Sequence, residues 1–471
     1  MFHITRIDNT MKKKEIVLWS LVAVALAANI VVPKLRRAYS WERDLSQRLA
    51  VDFSRTRAEV KDWIAGYIPD VTDKQIDTWT DEGLLENMKI GGRTMYFHNA
   101  APNLFRIVPE LKAIKDSADI ARDPSLADGR LRGKDSIDAA VIPLIRRDVT
   151  QALESGAGNP FIAQPRRMRV TFSVTVPANT LRRGSKLRCW LPYPREDVAR
   201  QTGVRLIRAG IDSTDLPESK LRFSDPSCCH SSLYFEAKVK EGRPTRFYEV
   251  FEYVSAGEWH PVDPEKVLPY DRESTDYKEY TAEKPTQVVF SDRIRHIADS
   301  LTEGITNPYL KAKAIYSWVD RFPWASAREY STISNIPEYV LDVKHGDCGQ
   351  QTLLFMTLCR AEGIPTRWQS GLMVHPGNAN LHDWCEAYFE GYGWIPVDQS
   401  FGETSYGGLF YFGGIDPYRL VFNSDFGGEL SPKKKYPRSE TVDFQRGEVE
   451  WEGGNLYFHL WDYDFEIEYL D

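Results

Sequence analysis

Apolar residues change their spacing twice along this chain, and each change marks a new kind of element. Between 41 and 160 the spacing is helical. Thr72 followed by Gln75 fits a capping box, and Ile76, Trp79 and Leu84-Leu85 keep a helical period around the break at Gly83. Gly91-Gly92 and the strand-like run Thr94 to Phe97 then predict a turn and a small hairpin. From about 166 to 260 the period becomes two. Val170, Phe172, Val174 and Val176 alternate with polar residues, and 187–191, 233–239 and 247–254 read as further strands of a small β-sandwich. Helices return at 291–303 and after Asn307-Pro308, where an N-cap and a first-turn proline are well placed. An apolar helical run from Cys348 follows, then strands around 367–373, at His382 and up to Asp398. Helices followed by sequential strands predict an α+β fold with an antiparallel sheet.

The two transitions are marked by Gly156 to Pro165, rich in glycine and proline, and by 261–287, rich in proline, tyrosine and charge. The expected organisation is therefore a distinct N-terminal segment at 1–40, a mainly helical domain at 41–160 and a β-sandwich at 166–260. A catalytic core at 285–430 and a C-terminal β extension at 431–471, packed on that core, complete it. In the extension Phe465, Ile467 and Tyr469 alternate with Glu466 and Glu468, as in a strand that closes a sheet edge.

Composition narrows the function. The 471 residues call for about three domains, and 42% hydrophobic with 12% aromatic content suits packed cores. A net charge of −7 argues against a dedicated nucleic-acid binder, and the helix, glycine turn and hairpin near 72–97 show no concentrated basic face. Most of the negative excess lies at 440–471, with ten acids and one arginine. That run has no calcium-loop spacing, and a solvated strand face accounts for it.

Lys12-Lys13-Lys14 precede an apolar stretch at 16–32 that contains Ala25-Leu26-Ala27, the pattern of an export signal with a small-residue cleavage site. An uncleaved anchor is the alternative, associating with a membrane through 16–32, with Lys34, Arg36 and Arg37 on its far side. Either way the body is expected outside the cytoplasm, periplasmic or at the cell surface. Six cysteines, at 189, 228, 229, 348, 359 and 385, form no metal or disulfide framework.

Three residues carry chemistry. Cys348, in His345-Gly346-Asp347-Cys348-Gly349, opens the apolar helix, where unpaired N–H groups and the helix dipole favour a thiolate and would bind an oxyanion. Gly346 and Gly349 are expected to leave room for substrate backbone. His382 begins a strand that places Trp384, Glu386 and Tyr388 on its own face, with Asp383 and Cys385 on the other. A three-residue loop at 390–392 would set Phe389 opposite Gly393 and Asp398 opposite Trp384, diagonal to His382 on the same face. Thiol, imidazole and carboxylate would then form nucleophile, base and orienting group. Cys359, Cys385, His345 and His375 read as packed or surface residues. Zinc is the chemical rival, but no tight ligand pair such as C-x-x-C or H-x-x-x-H occurs, so no metal and no cofactor are expected.

Gly-Asp-Cys-Gly at 346–349, Cys-Arg-Ala-Glu-Gly-Ile-Pro-Thr-Arg at 359–367, His-Asp-Trp-Cys-Glu-Ala-Tyr at 382–388 and Gly-Trp-Ile-Pro-Val-Asp at 393–398 closely resemble the transglutaminase-like core, a papain-related fold. The resemblance spans about 290 to 402. It implies Cys348 as nucleophile, His382 as general base and acid, and Asp398 as orienting residue. Trp324 or Gln351 would be a second oxyanion donor. The implied chemistry is a thioester resolved by water, in a cysteine peptidase or amidase acting on peptide or protein substrates. Resolution by an amine, in a crosslinking transamidase, is one alternative, and a non-catalytic surface or periplasmic interaction protein is another.

Overall fold

The computed structural model describes residues 40–124, 134–156, 159–404 and 406–470. The export or anchor pattern at 12–32 lies outside the described residues. Among the described residues no helix is long and apolar enough to cross a membrane.

The first module is helical because its caps are written locally. Thr56 with Glu59 and Thr72 with Gln75 both close capping boxes, starting the helices Arg57–Ala65 and Asp73–Asp81. Gly91 and Gly92, at φ +56° and +81°, turn the hairpin Asn87–Ile90 / Arg93–Tyr96. Ile64, Ile76, Leu85, Phe97 and Leu104 form its core. The module is bolted to the rest by Arg48. This side chain is fully buried, bonds Asp44 within its own helix and donates to the carbonyls of Arg438 and Ser439 at 2.9 Å. Arg48→Met should lower unfolding stability by about 3 kcal/mol, because the carbonyls and Asp44 lose a buried donor. Urea denaturation with an unchanged midpoint would contradict this.

The helices Lys134–Ala140 and Ile142–Ser155 do not join that module. Ile137, Ile142, Ile145 and Val149 pack into the sandwich core, and Gly257 is bare because a Cβ there would strike Ile145. The helical domain expected up to 160 therefore splits, and its last two helices cover the sandwich. The expected linker at 156–165 is also shorter. Gly156 caps the helix in the left-handed region, and a strand begins at Ile162, kinked where Gln164 has φ +53°.

The sandwich has two antiparallel sheets. Ile162–Val176 and Thr245–Trp259 lead one, while Lys186–Pro192 and Ser232–Lys238 lead the other. The C-terminal strands, expected on the core, complete the sandwich instead. Asp462–Tyr469 forms the edge of the first sheet beside Ile162–Val176, and Glu448–Trp451 pairs with Lys186–Pro192. Alternation alone read the edge strand correctly but could not name its partner.

The core domain is α+β. Ser291 and Asn307 cap the helices Asp292–Leu301 and Pro308–Val319. An antiparallel sheet runs in the order Gly393–Val397, Asn378–Phe389, Thr366–His375, Arg419–Asn423. The helix Cys348–Ala361 is buried from Gly349 to Arg360 and lies across one face of that sheet. Cys385, Ala387 and Phe389 share an apolar cluster with its Leu354 and Leu358, whereas Trp384 packs with Ile415 and Val421. The helix thus covers the odd-numbered face of Asn378–Phe389.

Candidate active site

Cys348 is the first residue of its helix. Asp347 is the N-cap, accepting from Gln350 N at 3.0 Å while the Gln350 side chain reaches back to Asp347 N. The partly exposed thiol lines a cleft of about 180 Å³ whose walls include Trp324, Tyr330, Asp383, Asp443 and Arg446. The N-terminal module braces this wall: Asn103 donates to the Ser326 carbonyl at 2.8 Å, and the Arg106 guanidinium lies 5.2 Å from the Trp324 ring centroid.

His382 and Asp398 meet as the register requires. Phe389 pairs with Gly393 and Cys385 with Val397, so Asp398 falls opposite Trp384, and His382 Nε2 lies 2.8 Å from Asp398 Oδ2. The same oxygen accepts from Arg419 Nη2 at 2.9 Å. Arg419 Nη1 reaches Asp416 at 2.8 Å, which also holds His375 Nε2 at 2.9 Å. Burial would raise Asp398, but His382 and Arg419 hold its carboxyl below the usual range. His375 is therefore part of a buried ionic network, beyond the simple packing expected of it.

Cys348 and His382 share no hydrogen bond. The apolar length of the thiol helix packs on the odd-numbered face of Asn378–Phe389, and His382 is even-numbered. The thiol's partner is Asp383, with Sγ–H donating to Oδ2 at 3.3 Å. His382 stacks on Trp384 at 5.9 Å. The thiol thus has a carboxyl partner that the sequence reading did not name. Sequence reasoning missed Asp383, although the apolar Cys385, Ala387 and Phe389 on its face marked that face as the one a buried helix would cover.

Electrostatics follow from this placement. Burial, then the charges of Asp383 and Asp347, push the Cys348 thiol well above its ordinary value. The thiolate expected from the helix N-terminus is outweighed by desolvation and two adjacent carboxyls. Asp347 is itself raised to about 7 by burial.

Gly349 is not space for a substrate, as had been expected. A Cβ there would run into the Tyr330 hydroxyl and lie 2.7 Å from Asp383 Oδ2. Gly349→Ala should cost about 2 kcal/mol through overpacking, read as a lower thermal or urea midpoint; an unshifted midpoint would show that the contact yields freely. Of the two oxyanion candidates, Trp324 lines the cleft, while Gln351 is buried and its amide donates to the Phe322 carbonyl at 2.8 Å. Cys359 and Cys385 are fully buried, and His345 is buried and lowered to about 4 by burial. All six cysteines are free thiols. Among the described residues no group of three or more His, Cys, Asp or Glu side chains is arranged to hold a metal ion.

The model of the transglutaminase-like superfamily matches residues 295–399, a span that includes Cys348, His382 and Asp398. An uncharacterized protein, YebA of Bacillus subtilis (strain 168), is 26% identical over 133 residues, which is 24% of this chain and 18% of that protein. The chain thus matches less than a fifth of that relative's length. Among solved structures, a candidate cysteine protease from Cytophaga hutchinsonii is 15% identical with a TM-score of 0.43, covering 66% of this chain and 93% of its own. The periplasmic domain of TgpA from Pseudomonas aeruginosa is 17% identical with a TM-score of 0.27, covering 50% and 88%.

Proposed function

We propose that this chain, whose residues 295–399 carry a transglutaminase-like core, is a thiol hydrolase that cleaves peptide or protein amide bonds through a thioester on Cys348. The observation that carries the reading is the seat of Cys348: a half-buried thiol at the first position of a capped helix, opening into a cleft. Helix first-turn N–H groups have no intrahelical partner and stabilise an oxyanion formed beside them. Trp324 supplies the adjoining wall. The basic flank and apolar stretch at 12–32 support action outside the cytoplasm, with no nucleic-acid partner.

A second reading, a non-catalytic interaction protein, draws on the pairing of the Cys348 thiol with the Asp383 carboxyl, which favours its neutral form. A peptide-library cleavage screen on the purified protein, repeated with a primary amine added, separates these readings. New termini from cleavage support the hydrolase. Amine incorporation in place of cleavage would make the protein a transamidase, and no product of either kind would leave the interaction protein standing.

A further inference from the structure

We propose that a second cavity of the core domain binds an organic cation, an ammonium or guanidinium group, on tyrosine and tryptophan rings rimmed by carboxylates. This goes beyond the hydrolase reading and does not depend on it. The cavity holds about 440 Å³, within the range of small-molecule sites and larger than the cleft at Cys348. It lies at the far end of the strand Asn378–Phe389, where Tyr388 is about 20 Å along the strand from His382.

The proline- and tyrosine-rich stretch 261–287 folds against the core and supplies one wall. Tyr270 donates to the Tyr388 carbonyl at 2.7 Å, Leu268 N to the Glu390 carbonyl at 3.0 Å and Asn307 Nδ2 to the Pro264 carbonyl at 2.7 Å, so this wall is pinned in place. Four half-buried rings follow one another around the cavity. Their centroids are 5.4 Å apart from Tyr277 to Tyr270, 6.3 Å from Tyr270 to Tyr388 and 5.4 Å from Tyr388 to Trp394. The faces of such rings are negative and attract cations.

Charge points to the same ligand class. Asp271, Asp276 and Glu390 add carboxylates, and among the described residues that line the cavity none is Lys, Arg or His. The cations nearby are engaged elsewhere. Lys266 pairs with Asp263, Lys278 with Glu273, and Arg367, which lies 4.4 Å from the Trp394 ring centroid, with Glu386. The Arg367 contact shows that Trp394 already accepts a guanidinium. Burial, then the Glu390 charge, raises the Tyr388 phenol, as happens where negative charge lacks a counterion. The short helix Thr275–Tyr280 offers no rival seat for an anion, since Ser274 Oγ accepts from Tyr277 N at 3.2 Å.

The test is isothermal titration calorimetry on the full chain at low salt, with tetramethylammonium, N-acetyl-arginine amide and the neutral isostere N-acetyl-citrulline amide as probes. At least one cation should bind with a Kd below about 1 mM, and the tighter of the two tells a free amine from a basic side chain of a polypeptide. The citrulline probe should bind at least about tenfold more weakly than the arginine probe. Asp276→Asn combined with Glu390→Gln, which keeps the shape of the rim, should weaken cation binding about fivefold and flatten its salt dependence. Trp394→Leu should weaken it about tenfold, with thermal midpoints checking that both variants fold. If no cation binds at millimolar concentrations, if citrulline binds as tightly as arginine, or if the paired variant leaves the affinity unchanged, the cavity is not a cation site. Peptide turnover is not read, so neither result bears on the hydrolase.

Discussion

Cys348→Ala is expected to abolish peptide turnover, with a fall of at least about 10³-fold, while the protein stays folded. A thioester route has no substitute for its nucleophile, and removing a nucleophile typically costs most of the chemical acceleration. Stability should change by less than about 1 kcal/mol, since Cys348 is partly exposed and contributes little to the core. Cys359→Ala supplies the contrast. That thiol lies fully buried in the same helix, so its loss should lower stability by about 1 to 2 kcal/mol and leave turnover per folded molecule unchanged. Steady-state assays paired with urea denaturation read both quantities. Full activity in the alanine variant would remove Cys348 from the chemistry.

The features that were legible in the sequence are those set by near neighbours. The Thr72–Gln75 box, the Asn307-Pro308 helix start and the 390–392 loop each depend on residues within a few positions. Asp398 could be placed beside His382 because a short hairpin fixes its own register. What stayed hidden depends on distant partners. The strand Asp462–Tyr469 alternates like any edge strand, but its partner, Ile162–Val176, lies almost three hundred residues earlier. The helix Ile142–Ser155 looks like one more member of a helical domain until Ile145 meets Gly257.

The site shows the same division. Alternation correctly separated His382 from Asp383, yet motif order gave no sign that the thiol bonds Asp383. Which face a helix covers is a packing question, and Cys385, Ala387 and Phe389 answer it. Arg419 was invisible for a different reason. A single arginine in an apolar strand gives no hint that two aspartates, three and twenty-one residues earlier, will converge on it.

Arg419→Leu should therefore be the most destabilising substitution in the core, at about 4 kcal/mol at pH 8, because it strands Asp398 and Asp416 without their shared cation. Its pH dependence should distinguish lost charge from lost packing. In the native protein burial raises both carboxyls, and Arg419 with His382 or His375 overcomes this, so both sit below their ordinary values. Groups lowered in this way stabilise the fold above the unfolded-state value near 4 and lose that contribution only as pH falls through the folded value. Without Arg419 burial should dominate, and the folded values should rise above the unfolded ones. The sign then reverses: the contribution is intact below about pH 4 and is lost as pH rises through the raised folded values. The stability difference between variant and wild type should thus shrink by about 1 to 2 kcal/mol between pH 8 and pH 5 in urea titrations. A difference that is constant across that range would mean that Arg419 fills space and does not neutralise the pair. A shrinking one would identify its charge as what permits His382 to be clasped by a fully buried carboxylate.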